Sequence, residues 1–229
     1  MHFLLTNDDG IDAAGLAALQ AAVNARGDRC SVVAPFVEQS MCGHRVTTHA
    51  PLNVEERGPD RWAVQGTPAD CVRIALFGLG LKVDAVLSGI NHGGNMGQDL
   101  VISGTVAGVR EAAYHGLPAI AFSHYLKSGI PLDWPRISRW AEQMLGIIQA
   151  EPSQADSYWN VNFPHLPPGE MALPKVLKTA LARSPLNVSY RRDEGAYHYT
   201  AQYRERPQDE GSDVAACFGG YISLSRLSL

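Results

Sequence analysis

The feature that most constrains this chain is HFLLTNDDGIDAAG at residues 2–15, where a short apolar run ends in two adjacent carboxylates and a glycine. Such a run closing on Asp8, Asp9 and Gly10 reads as a strand that ends in a turn. Leu16, Leu19, Ala22 and Val23 then recur at helical spacing until Gly27 stops the pattern, and the apolar run CSVVA at 30–34 follows. Strand, helix and strand within about 35 residues form the unit of a parallel sheet. Ligands of such sheets gather outside the carboxyl ends of the strands, which is where this acid pair is delivered. Taken alone, the pair is open between a solvated turn and a metal site.

The polar stretch at 36–50 follows the second strand directly, which should bring Ser40, Gly43 and His44 to the same edge. Segments 52–57 and 61–65 read as short strands around Gly58-Pro59-Asp60, and Thr67 with Pro68 reads as the cap and first position of a helix. The run at 83–87 is a buried strand, followed by a loop with four glycines that carries Asn91 and Asn95. From Val106 the positions Val109, Arg110 and Ala113 step helically, so Ser103, Gly104 and Thr105 stand at a helix amino terminus, a natural seat for phosphate. Further on, 119–123 reads as a strand, 137–148 as an amphipathic helix and 160–163 as a short apolar strand. Residues 186–190 and 197–203 alternate around Asp193-Glu194-Gly195 as a hairpin, an arm at about 185–206. A last strand is expected at 220–224, and no linker divides the 229 residues, so one domain is expected over 1–229.

A hydrophobic content of 45%, 18% charged residues and a net charge of −4 exclude disorder and a broad electrostatic footprint for a nucleic-acid duplex. Any phosphate must be held locally. Cysteines 30, 42, 71 and 217 form no CxxC pair, so reduced thiols are expected rather than zinc or a disulfide framework. The first charged pair arrives by residue 8 and no apolar run approaches the ~20 residues of a membrane span, which points to the cytoplasm.

Asp8 and Asp9, with neutral oxygen donors from Ser40 and Asn91, make an all-oxygen set that suits one divalent ion, Mg²⁺ or Mn²⁺. His44 is open between a packed or surface histidine and a phosphate contact or proton carrier. Asn95 either serves its turn or donates to a phosphoryl oxygen. The chain has no G-x-x-x-x-G-K-[ST], no G-x-G-x-x-G after the first strand and no G-x-S-x-G. An aspartyl-nucleophile phosphatase usually carries a second Asp two residues on, where Gly10 stands.

These motifs, in order, resemble the SurE (survival protein E) family: LLTNDDGI at 4–11, VVAP at 32–35, EQS at 38–40, GTPADCV at 66–72, and SGIN-GGNMG-D with SGTVAG at 88–108. NVNFP at 160–164 and GYISL at 220–224 also fit. Met41, Cys42 and Arg45 depart from the family's usual loop, and Ala13-Ala14-Gly15 stands where it commonly has Ala-Pro-Gly. The resemblance implies a Rossmann-like α/β sandwich with a β-hairpin extension, and a metal-dependent phosphatase of nucleoside 5′- and possibly 3′-monophosphates or short polyphosphate. By it, Asp8, Asp9, Ser40 and Asn91 hold the metal and Asn95, Ser103, Gly104 and Thr105 contact phosphate, with Gly43 and His44 nearby. It also implies a homodimer or homotetramer. Asp8 and Asp9 are the catalytic candidates, and attack by metal-activated water or by a carboxylate stays open. The rival classes are a nucleotide-binding module without chemistry and an assembly protein.

Overall fold

The computed structural model describes every residue except Pro152, Ser153, Ala155 and Glu170. In β1 (His2–Thr6), Phe3 and Leu5 enter one apolar cluster and Leu4 another; in β2 (Arg29–Pro35), Val32 and Ala34 part from Val33 in the same way. Successive side chains thus serve opposite faces, as in a sheet covered on both sides. The other strands are β3 (Val54–Gly58), β4 (Arg61–Val64), β5 (Ala85–His92), β6 (Ala119–His124), β7 (Ser157–Phe163) and β8 (Val176–Lys178). They are followed by β9 (Tyr190–Asp193), β10 (Ala196–Tyr199) and β11 (Ile222–Ser228).

Nine strands form one sheet in the order β3-β4-β2-β1-β5-β6-β7-β11-β8. The run from β4 to β7 is parallel; β3 and β11 join it antiparallel, and β8 pairs parallel with β11. One face is covered by α1 (Ala14–Ala25), with Leu16 and Leu19 buried, and the other by α2 (Pro68–Arg73) and α3 (Gly104–Tyr114). Packed with α1 is α4 (Trp134–Gln149), through Ile137, Trp140 and Leu145, and the short α5 (Asp213–Phe218) precedes β11. This is the expected Rossmann-like sandwich. Among the described residues no helix is long and apolar enough to cross a membrane.

The helix starts follow local chemistry. Thr67 and Asp70 form a reciprocal capping box ahead of Pro68, and Ser103 Oγ accepts from Val106 N–H at 3.1 Å.

Three differences from the sequence reading have physical causes. The strand expected at 83–87 is β5 and runs on to His92, so Asn91 and His92 belong to a strand end and not to a loop; they pair with Ser123 and His124 across a register irregularity. Gly89 lies inside that strand because a Cβ there would meet the Phe122 carbonyl oxygen at 2.2 Å, so its glycine marks close approach of two strands. The hairpin turns at Glu194 and Gly195, both with positive φ, but its strands sit nearer the turn than 186–190 and 197–203 and pair only with each other. β8 and α5, three and six residues long, carry too little periodicity to show in the sequence.

Candidate active site

Three segments converge on the turn after β1. The turn closes locally, with the Asn7 side-chain amide donating to the Gly10 carbonyl at 2.8 Å. The stretch after β2 is tied to it: Ile11 N–H donates to Pro35 O at 2.8 Å and Gln39 N–H to Asp8 O at 2.7 Å. The end of β5 is tied to it through His92 N–H, which donates to Asp9 Oδ2 at 3.0 Å. The start of α3 is tied to it through the Thr105 hydroxyl, which donates to Asp8 Oδ1 at 2.5 Å. Parallel strands end in register, so segments about 30 to 100 residues apart meet at one edge.

Gly104 is the closest approach. A Cβ at that position would lie 2.9 Å from Asp8 Oδ2 and 2.9 Å from Cys42 Sγ, so the start of α3 can pack directly on the Asp8 side chain only because residue 104 has no side chain. Gly43 N–H donates to Ile102 O at 2.9 Å and fastens the 40s loop to the same helix start.

The electrostatics are those of two neighbouring carboxylates held in a buried place. Burial pushes the Asp8 carboxyl up to about 6, and the Asp9 charge adds to this against the hydrogen bond from Thr105. Burial also raises Asp9, with Glu38 adding to it and the His92 N–H opposing. Among the described residues no arginine or lysine pairs with either carboxylate.

The remaining candidates fall into two groups. Ser40 Oγ donates to Glu38 Oε1 at 2.5 Å on the exposed side of the site, and Asn91 Nδ2 donates to Gly93 O at 2.9 Å, which leaves its carboxamide oxygen as an acceptor. Asn95 is buried: its Nδ2 donates to Ser123 Oγ at 2.8 Å, and its backbone is clasped by the side chains of Asn160 and Asn162. His44 is drawn to α3, where Nε2 lies 2.7 Å from Glu111 Oε2 and Nδ1 lies 3.5 Å from Arg110.

Sequence reasoning passed over several contributors. Glu38 is a third carboxylate at the pair, and its signal was its place two residues before Ser40. Asn160 and Asn162 are fully buried amides in β7, where alternate polar residues in an apolar strand are the signal. Glu111 lies on the α3 face that receives His44, and no spacing in the sequence marks it.

The sequence matches the profile of the Survival protein SurE family over residues 3–185. A Nostoc sp. protein provisionally named a 5′-nucleotidase is 45% identical over 99% of both chains. The protein named 5′-nucleotidase SurE from Geotalea uraniireducens is 38% identical, covering 100% of this chain and 93% of its own length. The crystal structure of the SurE protein from Aquifex aeolicus superposes with a TM-score of 0.85 at 34% identity, covering 100% of this chain and 93% of that one. The chain therefore belongs to the SurE family.

Proposed function

We propose that this protein hydrolyses phosphate monoesters, with nucleoside 5′-monophosphates as substrates and 3′-monophosphates and short polyphosphate as further ones. A divalent cation, Mg²⁺ or Mn²⁺, would be held by Asp8, Asp9, Ser40 and Asn91. The observation that carries the reading is the Thr105–Asp8 hydrogen bond, which sets a buried acid pair against the amino end of α3. Relatives named 5′-nucleotidase supply the substrate class. The donor set fits the ion by its chemistry: two carboxylates, a hydroxyl and a carboxamide oxygen are all hard ligands. A cation bound there would supply Lewis-acid polarisation of the phosphoryl group and a lowered pKa for an attacking water.

The chain's own groups do the rest. Thr105 orients Asp8, and either carboxylate is placed to take a proton. Asn95 uses one amide hydrogen on Ser123 and has a second for a phosphoryl oxygen. The positive end of the α3 dipole at Ser103, Gly104 and Thr105 stabilises charge on the equatorial oxygens. Gly43 and His44 hold the 40s loop against this seat through Ile102 and Glu111. We read the chain as one domain that works as a homodimer or homotetramer in the cytoplasm. The self-paired arm with exposed Tyr190, Tyr197 and Tyr199 supports the oligomer, and the free thiols of Cys30, Cys42, Cys71 and Cys217 support the compartment.

Phosphate release from a panel of nucleoside monophosphates with Mn²⁺ or Mg²⁺ tests this. Release is expected with metal and none in chelator. Full release in chelator removes the metal from the reading, and tight nucleotide binding with no release over long incubation makes the protein a binding module.

A further inference from the structure

Arg206 stands at the carboxyl-side root of the arm and is 4% exposed, a burial that arginine tolerates only when paired. Its Nη1 donates to Asp99 Oδ2 at 2.6 Å and its Nη2 to the Met96 carbonyl at 3.0 Å. The same Asp99 oxygen accepts from the Tyr203 hydroxyl at 2.6 Å and from Met96 N–H at 3.2 Å. The guanidinium carbon lies 4.8 Å from the centre of the Tyr203 ring, and the Tyr203 hydroxyl reaches the Gly94 carbonyl at 3.5 Å. At the other root of the arm, Leu186 N–H donates to Gln98 Oε1 at 3.2 Å. Both roots therefore grip residues 94–99, the loop that carries Asn95.

We propose that Arg206 is a positioning residue for this loop: by joining Asp99 and the Met96 carbonyl to the root of the arm, it holds Asn95 in its seat. The inference rests on the phosphate seat proposed above. The geometry asks for a guanidinium, because two N–H groups pointing to different acceptors span a carboxylate and a backbone carbonyl at once. Lysine offers one charged point and can satisfy one of the two well. Glycine supports the fit from the other side, since a Cβ at Gly97 would come within 3.3 Å of Arg206 Nη2 and 3.0 Å of the Ala182 carbonyl. The hold on the loop is thus tight on both flanks. Asn95 is fixed from below by Asn160 and Asn162, and Gly97 by Asp213, which accepts its N–H at 2.8 Å. Arg206 closes the remaining side, and it does so from a segment whose neighbours in sequence form the exposed arm. A force on the arm reaches the substrate seat through Arg206 and Tyr203 at one root and through the Leu186–Gln98 hydrogen bond at the other.

The test compares the full-length wild type with Arg206→Met, Arg206→Lys and Tyr203→Phe, each well below its own Tm. Two readouts are taken: amide hydrogen exchange of residues 94–99, with α4 as internal control, and kcat and KM for an aryl phosphate with Mn²⁺. Arg206→Met is expected to speed exchange in the loop, leave α4 unchanged and lower kcat/KM by about 10- to 100-fold, mostly through kcat, because a misplaced contact weakens transition-state binding. Arg206→Lys should recover part of this. Tyr203→Phe, which removes one hydroxyl, should give a smaller change of about 2- to 5-fold in the same direction, and it decides the matter if Arg206→Met does not fold. Unchanged loop exchange, or faster exchange with unchanged kcat/KM, overturns the proposal. A wild type that releases no phosphate overturns the phosphatase reading, while loop exchange still decides the latch.

Discussion

Helix α3 carries a buried carboxylate site at each of two places, and the two are opposite in charge balance. At its amino end Thr105 meets Asp8, whose carboxyl is pushed up to about 6 by burial and by the Asp9 charge. Two turns on, Glu111 is as deeply buried, but three donors surround it: Arg73 Nε at 2.6 Å, His44 Nε2 at 2.7 Å and His115 Nε2 at 2.9 Å. Burial pulls the Glu111 carboxyl up, yet the hydrogen bonds from His44, Arg73 and His115 outweigh it and hold it down at about 2. The fold sets an arginine and two imidazoles around the carboxylate that ties segments together, and gives Asp8 a neutral hydroxyl with no arginine or lysine among the described residues. Burial alone does not separate the two cases; the neighbours do.

The contrast is broken most severely by removing charge from the acid pair. Asp9→Asn should lower kcat for a nucleoside monophosphate by about two to three orders of magnitude, measured as steady-state phosphate release. A variant with near wild-type turnover would take the pair out of the chemistry.

Next in size is the effect at the other site. Glu111→Leu should cost about 2–3 kcal/mol in urea unfolding, less than for a fully buried network because Arg73 and His115 regain water. The sign of its pH dependence follows from a folded pKa below the ordinary value of 4.5. The stabilisation is complete above that value and is lost as pH falls from there towards about 2. The stability gap between wild type and Glu111→Gln should therefore narrow across that window, and a gap that is flat or widens would contradict the assignment.

The smallest effect has the opposite sign. With a folded value of about 6 against an ordinary 3.8, Asp8 opposes folding when ionised, and this opposition is present above about pH 6 and disappears below the ordinary value. Asp8→Asn should thus stabilise the metal-free protein by about 1–2 kcal/mol at pH 7 while impairing activity. Thermal unfolding with and without Mn²⁺ sharpens the point, since the wild type should gain Tm from the ion and the variant should gain much less. A metal-free variant that is less stable than wild type would mean that Asp8 is held by contacts as Glu111 is.

The two sites were unequally legible. Asp8 and Asp9 stand out because a charged pair interrupts an apolar run, and Ser103 stands out because a hydroxyl residue precedes a helical pattern. Glu111 has neither signal, since on a helix of mixed character an acidic residue reads as a solvated face until Arg73 and His44 are known to be packed against it. His44 was ambiguous for the same reason. Asn91 was placed correctly at the edge but in a loop, because the strand that carries it contains a glycine whose role is close approach to β6.

What the amino-acid order determined by itself is the set of local events: where Thr67 and Ser103 cap helices, where the hairpin turns, and that two carboxylates follow the end of the first strand. These depend on periodicity and on hydrogen bonds between residues a few positions apart, as with Ser103 and Val106. Only the tertiary structure decided that Thr105 reaches Asp8 across 97 positions, that Glu38 joins the acid pair, that Glu111 receives His44, and that Arg206 ties the arm to the glycine-rich loop. Those outcomes depend on which strand ends a parallel sheet aligns and on which carboxylates it removes from water, and charge state follows burial and neighbours that no local pattern records.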